Sequence, residues 1–301
     1  MKQLKQLIVS AIFLCMPFAA QAQPQQVVDS EYTPVISQPI YDKEKGPTVV
    51  VDGGHHNFHT LDDKFAPFGK VAHMHGFRVH SRAGKIEAQD LKSIKILVIA
   101  NALNAQNVDS WKQPVQPAFT SEEVKAINNW VHDGGSLFLI ADHMPFAGAA
   151  AGLAASFGFT FNDGFAMCRP RRKFDLFTYA DSTLLHSELT NMHQPIDSIV
   201  TFTGQAFGIP AGATSVLTFD PAYMVLMPEV AWEFSNEMKM LPAGGMSQLA
   251  YTTYGKGKVV AAGEAAMFTA QRVGDVRIGL NAPYAPNNIR LLTSILEWLA
   301  K

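Results

Sequence analysis

The sequence predicts an α/β domain built on a mostly parallel sheet, with helices on both faces and a β-rich second half. Three observations carry that expectation. Apolar runs at 47–52 (PTVVVD), 94–101 (IKILVIAN) and 136–142 (SLFLIAD) are continuous rather than alternating, as strands covered on both faces are. Helical patterns separate them, at about 61–75, 121–133 and 146–157. The 301 residues are 48% hydrophobic and only 17% charged, which excludes disorder, collagen and coiled coil.

Taken in order, residues 1–22 (MKQLKQLIVSAIFLCMPFAAQA) have Lys2 and Lys5, an apolar run and a small-x-small site ending at Ala22. This is the pattern of a secretory signal peptide, so export to the periplasm or medium is expected, with cleavage near Ala22. Cleavage would remove Cys15 and leave Cys168 alone, so no intramolecular disulfide is expected. Residues 23–45 are polar and aperiodic, an extended arm, and one domain is expected over 46–301. The helix at 121–133 has Thr120 and Ser121 as N-cap candidates, Glu122 and Glu123 in its first turn and Gly134-Gly135 after its end. A short strand is also expected at 77–80, which makes 136–142 the fourth, and an Ala-rich helix at 146–157 follows it. Later strands are expected at 197–203, 215–219, 231–235, 246–254 and 258–262, the last two a hairpin through Gly255-Lys256-Gly257. A terminal helix at 286–301 carries Ile289, Leu292, Ile295, Leu296 and Leu299 on one face.

In an open parallel sheet, ligands bind beyond the carboxyl ends of the strands. Polar residues sit at those ends here: Asp52, His55, His56, Asn57 and His59 after the first strand, His80 and Arg82 after the second, Asn101 after the third, Asp142 and His143 after the fourth, Glu264 after the late hairpin. Asp142, His143, His55 and Glu264 are the candidates for catalysis, and Asn57, His80, Arg82, Asn101 and Arg171 for substrate binding. Asp52, His55, His56 and His59 are the candidate ligands of a divalent metal such as zinc, although their spacing matches no standard metal motif. The alternative is a hydrogen-bonded loop with Asp52 as a turn cap. Asp142 can orient His143, bind metal, or cap the Ala-rich helix. Arg169 to Lys173 can contact an anion or be a solvated loop, and Cys168 reads as a small buried residue.

The formal charge of −2 gives no field for nucleic acid or an anionic membrane. The apolar run in the first 22 residues is too short to span a bilayer comfortably. Neither G-x-S-x-G nor G-x-C-x-G occurs at the strand-to-helix elbow, so acyl-enzyme chemistry of that kind is not expected. Sequence does not fix the oligomeric state.

The succession PTVVVDGGHHNFHT, KILVIAN, FTSEEVKAINNWVHDGGSLFLIADHMPF, YGKGKVVAAGE and NNIRLLTSILEWL resembles the class I glutamine-amidotransferase-like superfamily, in a secreted bacterial branch near ThuA-like and GIFT-type domains. The resemblance covers roughly 47–301 and is strongest over 120–146. It implies a flavodoxin-like doubly wound sheet. It also implies that glutamine hydrolysis is lost, because Asp142-His143 stands where the amidotransferases carry Cys. For such relatives it suggests a small or carbohydrate-like substrate. Two readings follow: an exported hydrolase at the strand-end site, or a non-catalytic domain binding a ligand or partner there.

Overall fold

The computed structural model describes residues 26–168 and 170–301. The signal-peptide segment, its cleavage site and Arg169 lie outside the described residues. The fold is mixed α/β. Numbering the nine strands of the large sheet in chain order, β1 is Thr48–Asp52, β2 Arg78–Arg82, β3 Ile96–Ala100, β4 Ser136–Ile140, β5 Thr160–Phe161, β6 Phe207–Gly208, β7 Thr214–Thr218, β8 Ser247–Tyr254 and β9 Gly257–Ala262. The order across the sheet is β2-β1-β3-β4-β9-β8-β6-β5, with β7 also on β8. Its first five strands pair in parallel. From β8 onward the pairing is antiparallel, which is the expected β-rich half.

The continuous apolar runs are explained by burial on both faces. Val49 and Val51 of β1 pack in one core with α1 (Ala66–Met74) and the C-terminal helix Asn288–Ala300. Val50 points the other way, into a core shared with α2 (Ser121–His132) and α3 (Phe146–Ala155). Full burial of each such side chain stabilises by about 1.5–3 kcal/mol. Helix α2 starts with a capping box, in which Thr120 accepts from the Glu123 amide and the Glu123 side chain accepts from Thr120. It ends before Gly134, whose φ of +122° only glycine adopts without strain.

Two element expectations need correction. Helix α1 begins at Ala66 rather than near 61, because Pro67 sets its first turn and 61–65 are turns. No strand occupies 231–235. Trp232 is left-handed there (φ +72°), and Trp232 and Phe234 pack on Phe165 from a loop, at ring distances of 4.7 and 5.2 Å. The strand lies upstream, at Tyr223–Met227, between Phe165–Cys168 and Lys239–Pro242. The described part of the 23–45 segment is tied to the body: Gln26–Val28 pairs antiparallel with Ala270–Val273, and Lys70 donates to the carbonyls of Ser30 and Tyr32.

Candidate functional site

The strand ends deliver the predicted residues to different places. At the end of β1, Asp52 is buried and accepts from His55 Nδ1 at 2.8 Å. His55 Nε2 lies 2.9 Å from Glu123 Oε1, reaching across to α2. Arg82, at the end of β2, donates to Asp52 at 3.2 Å. Burial works against charge on His55, but the two carboxylates outweigh it and hold its pKa above the usual value. Burial would likewise raise Glu123, yet the amides of Thr120 and Ile86, His55 and the Thr120 hydroxyl hold it down at about 2. Asp52, His55, Glu123 and Arg82 are thus locked in one network, and both His55 nitrogens are occupied.

The other residues of this loop point elsewhere. His56 is exposed and left-handed (φ +46°). Asn57 braces the loop, accepting from the His55 amide and donating to Ala100 O. His80 is exposed on edge strand β2, where with Arg82 it lines an open groove of about 710 Å³. Asp52, His55, His56 and His59 are therefore not gathered as one ligand set. No three His, Cys, Asp or Glu side chains are grouped as metal ligands among the described residues.

His59, Asp142, His143 and Glu264 do meet, around a cavity of about 320 Å³ walled by Phe58, Trp111, Phe146 and Trp232. Asn101 organises them from below. It is left-handed (φ +50°), a conformation asparagine tolerates better than most residues. Its Oδ1 accepts from the Asp142 amide at 2.9 Å, which fixes the orientation of its own amide. Its Nδ2 then donates to Asp142 Oδ2 at 2.8 Å and to His59 Nδ1 at 3.0 Å. His59 must therefore carry its proton on Nε2, where no protein acceptor meets it among the described residues.

His143 has the opposite tautomer. Its Nδ1 lies 2.6 Å from Met144 O, which can only accept, so Nε2 keeps the lone pair. The ring is clamped by Phe165, stacked at 4.3 Å, and by Trp232, in a T-shaped contact with ring centres 4.8 Å apart. Burial pushes His143 down to about 4, and pushes His59, also under the charges of Lys64 and His143, to about 3. Both are neutral at pH 7.

The carboxyls move the other way. Burial pushes Asp142 up to about 7 against hydrogen bonds from Asn101 and the Ala265 amide. Burial, reinforced by the Asp142 charge, raises Glu264 well above the usual carboxylate range, although the amides of Ala266 and Met267 each bind it at 2.8 Å. The cavity thus presents two acids that burial biases toward the protonated form, a lone pair on His143 and a donor on His59.

Arg171 is exposed, 5.6 Å over the Trp232 ring at the cavity edge. Cys168 is free and buried, its thiol donating to Pro170 O. Sequence reasoning missed Glu123 as the partner of His55, and Trp111 and Trp232 as cavity residues, whereas Lys173, from the run read as an anion contact, does line the cavity. Glu123 was visible only as a first-turn acid, and Trp111 sits in an aperiodic segment.

No protein-family model matches the chain, and no curated protein does. Among solved structures, the mmIFT52 N-terminal domain superposes with a TM-score of 0.61 at 14% identity, over 84% of this chain and 97% of that one. A ThuA-like protein from Bacteroides uniformis gives 0.48 at 11% identity, over 89% and 94%. At 14% identity the first likeness shows a shared fold and nothing about chemistry.

Proposed function

We propose that the protein is an exported hydrolase acting on a small, carbohydrate-like substrate in the cavity walled by Trp111 and Trp232. The carrying observation is the pairing, in one aromatic-walled cavity, of the buried acids Asp142 and Glu264 with the free lone pair of His143. About 320 Å³ suits one or two sugar rings, aromatic walls suit their apolar faces, and the acids and His59 suit their hydroxyls. In the proposed reaction His143 Nε2 takes a proton from water as its oxygen bonds to the anomeric carbon. The glycosidic C–O bond breaks, and the proton held by the Asp142 and Glu264 pair passes to the leaving oxygen. Proton transfer from imidazolium to carboxylate resets the site.

In the same reading, the sheet is wrapped in the flavodoxin-like manner, and the chain is an outlying member of the class I glutamine-amidotransferase-like superfamily. The parallel order β2-β1-β3-β4 and helices packed against opposite faces of β1 support this.

A panel of chromogenic glycosides tests the function. Turnover is expected, falling about 10²- to 10⁴-fold in His143→Ala and in Asp142→Asn with the fold retained by circular dichroism. One observation favours a second reading, a sugar-binding domain without catalysis: every carboxylate oxygen of Asp142 and Glu264 is already bound by an amide. Calorimetric binding of free sugars with no turnover of any glycoside would select it.

A further inference from the structure

We infer that the ligand of this cavity carries an acidic substituent, a carboxylate or a sulfate, met by Lys173 and Arg171. This rests on the carbohydrate reading above and narrows it. Lys173 and Thr203 line the same cavity as Asp142, His143 and Glu264. Arg171 lies over Trp232, which packs T-shaped with His143, so a second cation stands one ring away from the reacting groups. A narrow side cavity lined by Arg171 and Arg172 shares Phe202 and Thr203 with the main one as a common wall.

The charges at this rim are not equivalent. Arg172 faces the acidic and phenolic groups of Asp175, Asp220 and Tyr223, and its charge acts on them. Neither Lys173 nor Arg171 makes an ion pair among the described residues; the Arg171 charge also acts on Asp175, so Lys173 is the cation left to the cavity. An ammonium at the cavity wall without an ion-pair partner favours an anion there, because no carboxylate salt-bridged to it cancels its field. The two acids deeper in the cavity oppose an anion least when they hold protons, the state that their burial favours. A guanidinium over Trp232 adds a planar donor set matched to carboxylate or sulfate.

Calorimetry on the full-length mature protein tests this with glucuronate, galacturonate and glucose 6-sulfate, each against its neutral parent sugar. At least one acidic sugar should bind tenfold or more tightly than its parent at 50 mM salt. That preference should shrink at 500 mM salt and fall below threefold in Lys173→Met. Binding of the neutral sugars with no acidic preference, or a preference that Lys173→Met leaves intact, overturns the inference and leaves the hydrolase reading standing. If the folded wild-type protein binds none of these sugars, the carbohydrate reading itself fails, and the inference with it.

Discussion

His143 donates a hydrogen bond from its Nδ1–H to the carbonyl oxygen of Met144 at 2.6 Å, and that single bond sets the chemistry of the cavity. A ring fixed in this way offers a lone pair at Nε2 at any pH above its depressed value of about 4. Burial pushes Asp142 beside it up to about 7 and raises Glu264 well above the usual carboxylate range. The proposed hydrolysis needs His143 neutral and the acid pair protonated. kcat/KM should therefore rise as pH passes about 4 and fall as it passes about 7, both limbs belonging to the coupled set rather than to one residue. His143→Gln should abolish the acid limb together with most of the rate. A profile that stays flat to pH 9 would remove the acid role from Asp142 and Glu264.

The network of Asp52, His55, Glu123 and Arg82 makes a separate prediction about stability. Removing the imidazole leaves two buried carboxylates facing one another with less countercharge, so His55→Ala should cost about 3–5 kcal/mol. The pH dependence has a definite sign. His55 is raised in the folded state, so its contribution is fully present below its unfolded value of 6.5 and is lost as pH rises through the folded one. Glu123 is depressed from 4.5 to about 2, so its contribution is present above 4.5 and is lost as pH falls toward 2. Urea titrations across pH 2 to 9 should show both slopes in wild type. The alkaline slope should be shallower in His55→Ala but not absent, because Asp142 and Glu264 are also raised in the folded state and contribute a slope of the same sign.

Much of the fold was legible because the signals were local. The runs of β1, β3 and β4 are buried on both faces and read as such, and the start of α2 was legible in Thr120 and Ser121 as N-cap candidates and in the first-turn acids, of which Thr120 and Glu123 form the capping box. The site was legible only as an address. Position at strand ends named Asp142, His143 and Glu264, which line the cavity, but equally named His55, His80 and Arg82, which do not. The difference is decided by contacts distant in sequence: Glu123 claims His55 across 68 residues, and Asn101 selects Asp142 and His59 at about 40. No periodicity reports such pairings. The Trp232 loop was misread because aromatic alternation fits a pleated strand and a packed loop equally well.

The occupied nitrogens of His55 also bear on metal binding. With Nδ1 on Asp52 and Nε2 on Glu123, a zinc ion at the β1 loop would have to break two buried hydrogen bonds. Dialysis against EDTA should therefore leave the melting temperature within about 1 °C, because a ligand that does not bind the folded state cannot shift it. Stoichiometric zinc by mass spectrometry, with a loss of several degrees on chelation, would reverse this assignment and reopen Asp52, His55, His56 and His59 as ligands.

Gly204 is the backbone position on which the cavity floor depends. A Cβ there would stand 2.0 Å from Gly263 O and 3.0 Å from Glu264 Cβ. Neither neighbour can yield cheaply, since Gly263 O already accepts from the Gln205 amide at 2.9 Å and Glu264 is pinned by two amides. Gly204→Ala should thus push 202–205 away from 263–264, displacing Phe202 and Thr203 from the cavity wall, at a cost of about 1–3 kcal/mol. Gly152 in α3 is the matched control, because a Cβ there meets nothing within 4 Å. Gly152→Ala should stabilise by roughly 0.5–1 kcal/mol through helix propensity alone. Thermal melts of the two variants should therefore shift in opposite directions, and only Gly204→Ala should lose sugar binding. Equal melting temperatures for Gly204→Ala and wild type would mean that the 202–205 segment yields freely and does not set the geometry of Glu264.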